Sequence, residues 1–225
     1  MPARDASLTE HLDSFRTKLA VSAELEPLFV TCLGGCDAWP DAQSVEFFVR
    51  AMEIADSFKL IVSFETHRGR SLFNPWITQR IVRALPSIRL TCDFSHWCVV
   101  CERLIDTELD IIEALAPHAH HIHARVGYDQ GPQVPHPAAP EYEPPLRAHQ
   151  RWWEIIWRSQ RQRNYPVTTM TPEFGPDGYL HTAPFTQEPV ADLWMLNTWM
   201  AQEERRHFAA FVNQYTQVTG TNSCT

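Results

Sequence analysis

The chain has 225 residues, 44% hydrophobic and 11% aromatic, with 19 Lys and Arg against 27 Asp and Glu for a formal net charge of -8. That composition supports a sizeable core rather than a disordered chain, and its acidic balance excludes a broad electrostatic surface for nucleic acid or an anionic membrane. No apolar run approaches the ~18 residues of a membrane span, and the N-terminal residues lack the apolar stretch of a signal peptide. The six cysteines, Cys32, Cys36, Cys92, Cys98, Cys101 and Cys224, are too few for a disulfide scaffold, so a cytoplasmic protein with reduced thiols is expected.

In chain order, the pattern predicts a helix over 8–23, a strand over 28–33, a helix over 41–58, a strand over 60–65 and a helix over 75–85. A strand over 88–93, a helix over 99–115, a strand over 120–125, a helix over 147–163 and a strand over 167–173 follow. A last helix over 189–211 carries Val190, Leu193, Asn197, Met200 and Phe211 on one stripe, so one face should meet the core. Strands alternating with helices imply a parallel sheet covered by helices. A Pro-rich stretch over 128–145 lengthens one connection; a loop longer than ~12–15 residues in a compact domain usually closes over or lines a binding site. No linker or composition break divides the chain, so residues 1–225 are read as a single domain.

Side chains alternate along a strand, which sorts each strand into two faces. Ile61, Ser63 and Glu65 share one face of the second strand, and Arg89, Thr91 and Asp93 share one face of the third. His121, His123 and Arg125 do so on the fourth, and Thr169, Thr171 and Glu173 on the fifth. Four successive strands therefore each end in an ionisable group on the polar face: Glu65, Asp93, His123 and Glu173. In parallel α/β sheets and barrels, chemistry sits at the C-terminal strand ends. Three carboxylates brought together there repel one another without a cation. Three oxygen donors plus one imidazole suit Mn²⁺ or Mg²⁺ best, with Co²⁺ or Zn²⁺ as further candidates.

The segments SFETHRGR (63–70), CDFSHW (92–97), HIHARVG (121–127) and TPEFGP (171–176) resemble the xylose isomerase-like TIM-barrel family of sugar phosphate isomerases and epimerases. That family includes the D-tagatose 3-epimerase group and, more distantly, endonuclease IV. The resemblance spans about residues 28–210, with the four motifs in the family's order. It implies metal ligands at Glu65, Asp93, His123 and Glu173, and an acid/base pair in Glu65 and Glu173. It also implies a substrate contact at His96, the histidine of Asp-x-x-His. Arg125 matches the family's substrate-binding arginine only loosely, since that residue lies further along the histidine loop. The implied reaction is divalent-metal-dependent isomerisation or epimerisation of a sugar or sugar phosphate, with glutamate-mediated proton transfer through an enediolate.

Several residues remain open between roles. His67 and Arg68 either touch a substrate hydroxyl or phosphate or are solvated loop residues, and Arg125 either holds phosphate or forms a salt bridge in the barrel mouth. His121 reads as a hydrogen-bonded interior histidine, and Cys98-x-x-Cys101 as buried thiols. Trp39 and Trp97, at strand ends, are candidates for a sugar-pocket wall. Two other functions compete with the isomerase. An endonuclease IV-type phosphoesterase would need more ligands and a basic face, and a family member without turnover would keep the motifs alone.

In the resembled family the four ligand motifs lie on barrel strands five to eight, so residues 28–33 would be strand four and no sequence is left for strands one to three. The expectation is an incomplete TIM-barrel-type α/β fold of about five βα units with a C-terminal helix. Its open sheet edges could be covered by a second copy.

Overall fold

A computed structural model describes Pro2, residues 6–176 and residues 178–221, with side chains through Tyr215. Cys224 lies outside the described residues. The elements are α1 (Leu8–Ala23), β1 (Val30–Cys32), α2 (Asp41–Ser57), β2 (Val62–Glu65), α3 (Pro75–Ala84), β3 (Leu90–Cys92), α4 (Ser95–Cys101), α5 (Leu109–Leu115), β4 (Ala119–Ala124), α6 (Glu143–Gln162), β5 (Met170–Pro172) and α7 (Leu193–Thr221). The five strands make one parallel sheet in sequential order, β1-β2-β3-β4-β5. The result is the expected open, curled part-barrel.

Local chemistry sets the helix starts. Ser7 caps α1 in a reciprocal box with Glu10, which satisfies donors that an N-terminus leaves bare. Asn74 accepts from Ile77 N–H at 2.9 Å ahead of Pro75, a residue with no N–H to lose at a first turn. Pro144 and Pro145 open α6 in the same way, so that helix starts inside the Pro-rich stretch, earlier than expected. The predicted helix over 99–115 is instead broken. α4 ends at Glu102 in the left-handed region (φ 52°), and a 3₁₀ turn over Ile105–Glu108 leads into α5. The last helix starts at Leu193, so Val190 precedes it, half exposed, while Leu196, Met200 and Phe211 are buried.

The main core lies between the sheet and the helices around it. Phe47, Phe48, Phe64, Leu90, Trp97, Ile122, Trp152 and Trp153 are at most 2% exposed. At ~25 cal/mol per Å² of apolar surface buried, these large side chains dominate the stabilisation. The concave face is polar instead. Thr91 Oγ1 meets Thr31 Oγ1 at 3.0 Å and Ser63 Oγ at 2.6 Å, and His121 bonds Thr169 and Thr171 through its two ring nitrogens at 2.8 and 3.1 Å. Phe29, just ahead of β1, reaches the rings of His120 and His121 at 4.8 and 5.0 Å. The parity read from sequence therefore holds, and His121 is the interior histidine expected.

The Pro-rich stretch is not a free lid. Residues 131–134 are buried, and Gln133 donates to Gly175 O at 3.3 Å and accepts from Gly175 N–H at 2.7 Å. It thus braces the segment after β5. Trp39 and Trp97 do not wall the concave face. Trp97 is fully buried and donates to Leu72 O at 3.1 Å, and Trp39 packs on His11 and Phe47.

Candidate metal centre

Each site residue sits where one strand of the sheet ends. Glu65 closes β2, and the hydroxyl of the next residue, Thr66, ties that end to β3 by accepting from Asp93 N–H at 2.8 Å and donating to Asp93 O at 2.9 Å. Asp93 follows β3, His123 lies in β4, and Glu173 follows β5. Ligand atoms from Glu65, Asp93, His123 and Glu173 all lie within 4.8 Å of one another. Glu65, Asp93 and His123 are buried, while the Glu173 side chain is 38% exposed at the mouth.

The centre is strongly polarised. His123 Nδ1 stands 2.8 Å from Glu173 Oε2 and 3.5 Å from Glu65 Oε1. The ring nitrogen and Glu173 Oε2 are both buried and face each other as an ion pair. Burial lowers the His123 pKa, but Glu173 and Glu65 outweigh it and hold it up at about 10. Burial pushes Asp93 upward, but Arg125, His96 and His123 outweigh it and keep that carboxyl well below the usual carboxylate range. Its Oδ1 accepts from Ser95 N–H at 3.0 Å and Ser95 Oγ at 2.5 Å, which starts α4, and its Oδ2 accepts from Arg125 Nη2.

This donor set fits a hard divalent cation. Three carboxylates and an imidazole converge, and His123 Nδ1 and Glu173 Oε2 are buried without a hydrogen bond, a donor set of the kind hard divalent cations take.

His96 is fully buried beside the centre. Its Nε2 accepts from Arg125 Nη2 at 2.7 Å and lies 3.8 Å from Glu65 Oε1, while its Nδ1 has no hydrogen-bond partner. Burial drives its pKa down to about 2, leaving the ring neutral with a proton to give from Nδ1. The His67 ring lies 3.8 Å from that of His96, tilted by 45°, and is anchored through Nδ1 to Arg68 O, and burial lowers its pKa too. Together Glu65, His67 and His96 form a second trio with converging ligand atoms.

Tyr179 is the residue that the sequence patterns missed. It follows the TPEFGP segment and lies over the mouth, its hydroxyl 3.4 Å from His67 Nε2 and its ring 4.5 Å from the Arg125 guanidinium carbon and 5.3 Å from that of Arg68. Arg68 and Arg125 therefore flank one aromatic ring. No spacing rule points to a tyrosine seven residues past a strand end; only the fold brings it back. Cys98 and Cys101 are free thiols, with burial raising the pKa of each.

No family profile matches the chain, and no curated protein does. Solved structures do. A D-tagatose 3-epimerase-like protein matches with a TM-score of 0.60 at 12% identity, covering 95% of this chain and 77% of the other. The probable 3-DHS dehydratase AsbF of petrobactin synthesis from Bacillus anthracis matches at 0.48 and 14% identity, over 80% and 69% of the two chains. The 3-keto-D-glucoside 4-epimerase YcjR from E. coli matches at 0.43 and 11%, over 90% and 70%. The first of these likenesses establishes the fold: the chain shares the TIM-barrel-type architecture of a D-tagatose 3-epimerase-like protein, as the resemblance of its motifs to the xylose isomerase-like family implied.

Proposed function

We propose that the chain is a divalent-metal-dependent isomerase or epimerase of a sugar or sugar phosphate. The observation that carries this reading is the convergence of Glu65, Asp93, His123 and Glu173 from four successive strands on one point. Mn²⁺ or Mg²⁺ fits the donors best. Once bound, such an ion would acidify the C–H next to a carbonyl and stabilise the enediolate that forms.

The protein's own groups do the rest. Glu65, buried at the end of β2, and Glu173, at the mouth beyond β5, are carboxylates presented from different strands. One takes the proton from the reacting carbon and the other returns it, at the opposite face of that carbon or at its neighbour. His96, kept neutral by burial, offers its Nδ1 proton to a substrate oxygen. Arg68 and Arg125 both lie against the Tyr179 ring, whose hydroxyl is 3.4 Å from His67 Nε2, and Arg68 and His67 give the mouth groups suited to a substrate hydroxyl or a phosphate. Gln133 and Asn197 keep the Glu173 segment in place.

The test is metal analysis of the purified protein followed by a ketose epimerisation screen with added Mn²⁺. Stoichiometric metal and turnover are expected, both lost in Glu65→Gln and Glu173→Gln. Variants that bind metal and process sugars like the parent would remove both glutamates from the mechanism.

A further inference from the structure

Asp93 is fully buried, and a buried carboxylate left without a positive partner is strongly destabilising. That partner is already in the chain. Arg125, 3% exposed, sets Nη2 on Asp93 Oδ2, with the same nitrogen 2.7 Å from His96 Nε2 and 3.5 Å from Glu173 Oε2. Its Nε donates to Ser95 Oγ at 3.1 Å, its Nη1 donates to Glu173 O at 3.3 Å, and Tyr179 covers its flat face. The guanidinium therefore contacts two of the four converging carboxylate and imidazole donors, and Ser95 fills the other oxygen of Asp93.

With Oδ1 engaged by Ser95, Asp93 Oδ2 is the oxygen left for a divalent ion, and Arg125 is on it. A single and a double positive charge a few ångströms apart in a buried site repel strongly, so the two compete for this carboxylate even though one oxygen carries two lone pairs. We infer that Arg125 and the divalent ion are alternative occupants of Asp93 Oδ2. The ion displaces the guanidinium from the carboxylate, and the affinity of the centre is set by that competition. A displaced Arg125 has a ready platform in the ring of Tyr179. The inference rests on the proposed metal-dependent reading in taking Glu65, His123 and Glu173 as the other donors, and its test separates the two.

Mn²⁺ binding to the full chain is measured calorimetrically for wild type and Arg125→Gln, with melting curves with and without saturating Mn²⁺. The Nε–H signals of arginine in ¹⁵N-labelled wild type are followed in parallel as diamagnetic Mg²⁺ is added. Competition predicts that Arg125→Gln binds Mn²⁺ about tenfold more tightly or better. It also predicts that the variant melts well below wild type without Mn²⁺ but close to it when loaded, and that the Arg125 signal moves on Mg²⁺ binding. Equal or weaker Mn²⁺ affinity in the variant would overturn the inference and leave metal dependence standing. Tighter binding with the Arg125 signal unmoved would mean a field effect alone, and would overturn it too. Binding only by Arg125→Gln would support the inference while rejecting the natural chain as a metal enzyme. No binding by either protein would reject both. Should Arg125→Gln not fold, the wild-type arginine signals decide: a shift with Mg²⁺ supports displacement, and none overturns it.

Discussion

Asn197 illustrates how a helix far from the concave face sets the position of a reacting group. From the first turns of α7 its Oδ1 accepts from Phe174 N–H at 2.9 Å, and its Nδ2 donates to Phe174 O at 2.9 Å and to Leu193 O at 3.0 Å. Phe174 follows Glu173, so this side-chain amide clamps the backbone that aims the mouth carboxylate. Asn197→Ala removes both bonds to Phe174. At about 1 kcal/mol net each for partly buried bonds, the loss is about 2 kcal/mol, or a fall of about 4–8 °C in melting temperature for a chain of this size. Asn197→Asp tests the geometry further. It keeps an acceptor for the Phe174 N–H but turns both donated bonds into contacts between a carboxylate and carbonyl oxygens, and should be at least as destabilising. Both variants should weaken Mn²⁺ binding several-fold by loosening Glu173, measured by calorimetry beside the melts. An Ala variant that melts within a degree of wild type and binds Mn²⁺ equally well would refute the clamp.

Three further outcomes follow from the geometry. Gly127→Ala would place a Cβ 2.6 Å from Ser95 O and 2.7 Å from Ser95 Cα; overpacking against backbone costs about 1–3 kcal/mol, and because Ser95 holds Asp93 and Arg125, calorimetry should show lost stability and altered Mn²⁺ affinity together. Gln133→Ala strips both bonds from the Gly175 backbone, a loss of about 2–3 kcal/mol at a buried position, read from denaturant unfolding. His207 lies between Glu204 of α7 and Glu154 of α6, with both ring nitrogens bonded at 2.9 Å; burial lowers its pKa, but the two carboxylates outweigh it and the net shift is upward. Its stabilisation is complete below the unfolded value of about 6.5 and disappears as pH rises through the higher folded value. Melts of His207→Gln against wild type should thus show the largest gap at acidic pH and a closing gap in alkaline buffer, and a gap that grows with pH would contradict the assignment.

Much of this was legible in the chain because the strands are short and their parity strict. Alternation placed Ser63, Thr91 and His121 on one face together with Glu65, Asp93 and His123, and all of them point into the concave side. The helix boundaries held where a capping residue marked them, as with Ser7 before α1 and Asn74 before α3. They failed where periodicity ran on without one. The apolar pattern over 99–115 is continuous, yet Glu102 takes a left-handed turn that splits it. The position of Val190 shows the same limit: its spacing matches the α7 stripe, but the helix begins after it. The sides of the site were less visible. Arg125 sits on Asp93, and Tyr179 lies over Arg125, because strand ends about 30 and 50 residues apart in sequence are brought side by side. Such contacts come from curvature, which no single segment encodes.

The sequential strand order makes the two free margins of the sheet unequal. β1 contributes none of the four converging side chains and meets the concave face through the hydroxyl contact of Thr31 with Thr91. β5 leads directly into Glu173 and is held from outside by α7 and by the stretch carrying Gln133. Backbone amides near β1 can therefore open to exchange with water while the centre stays assembled, whereas opening of β5 removes a ligand and an acid/base group in one motion. Change in sequence should fall along the same line: the β1 margin is free to vary, while the β5 margin must keep its braces for as long as the centre is used.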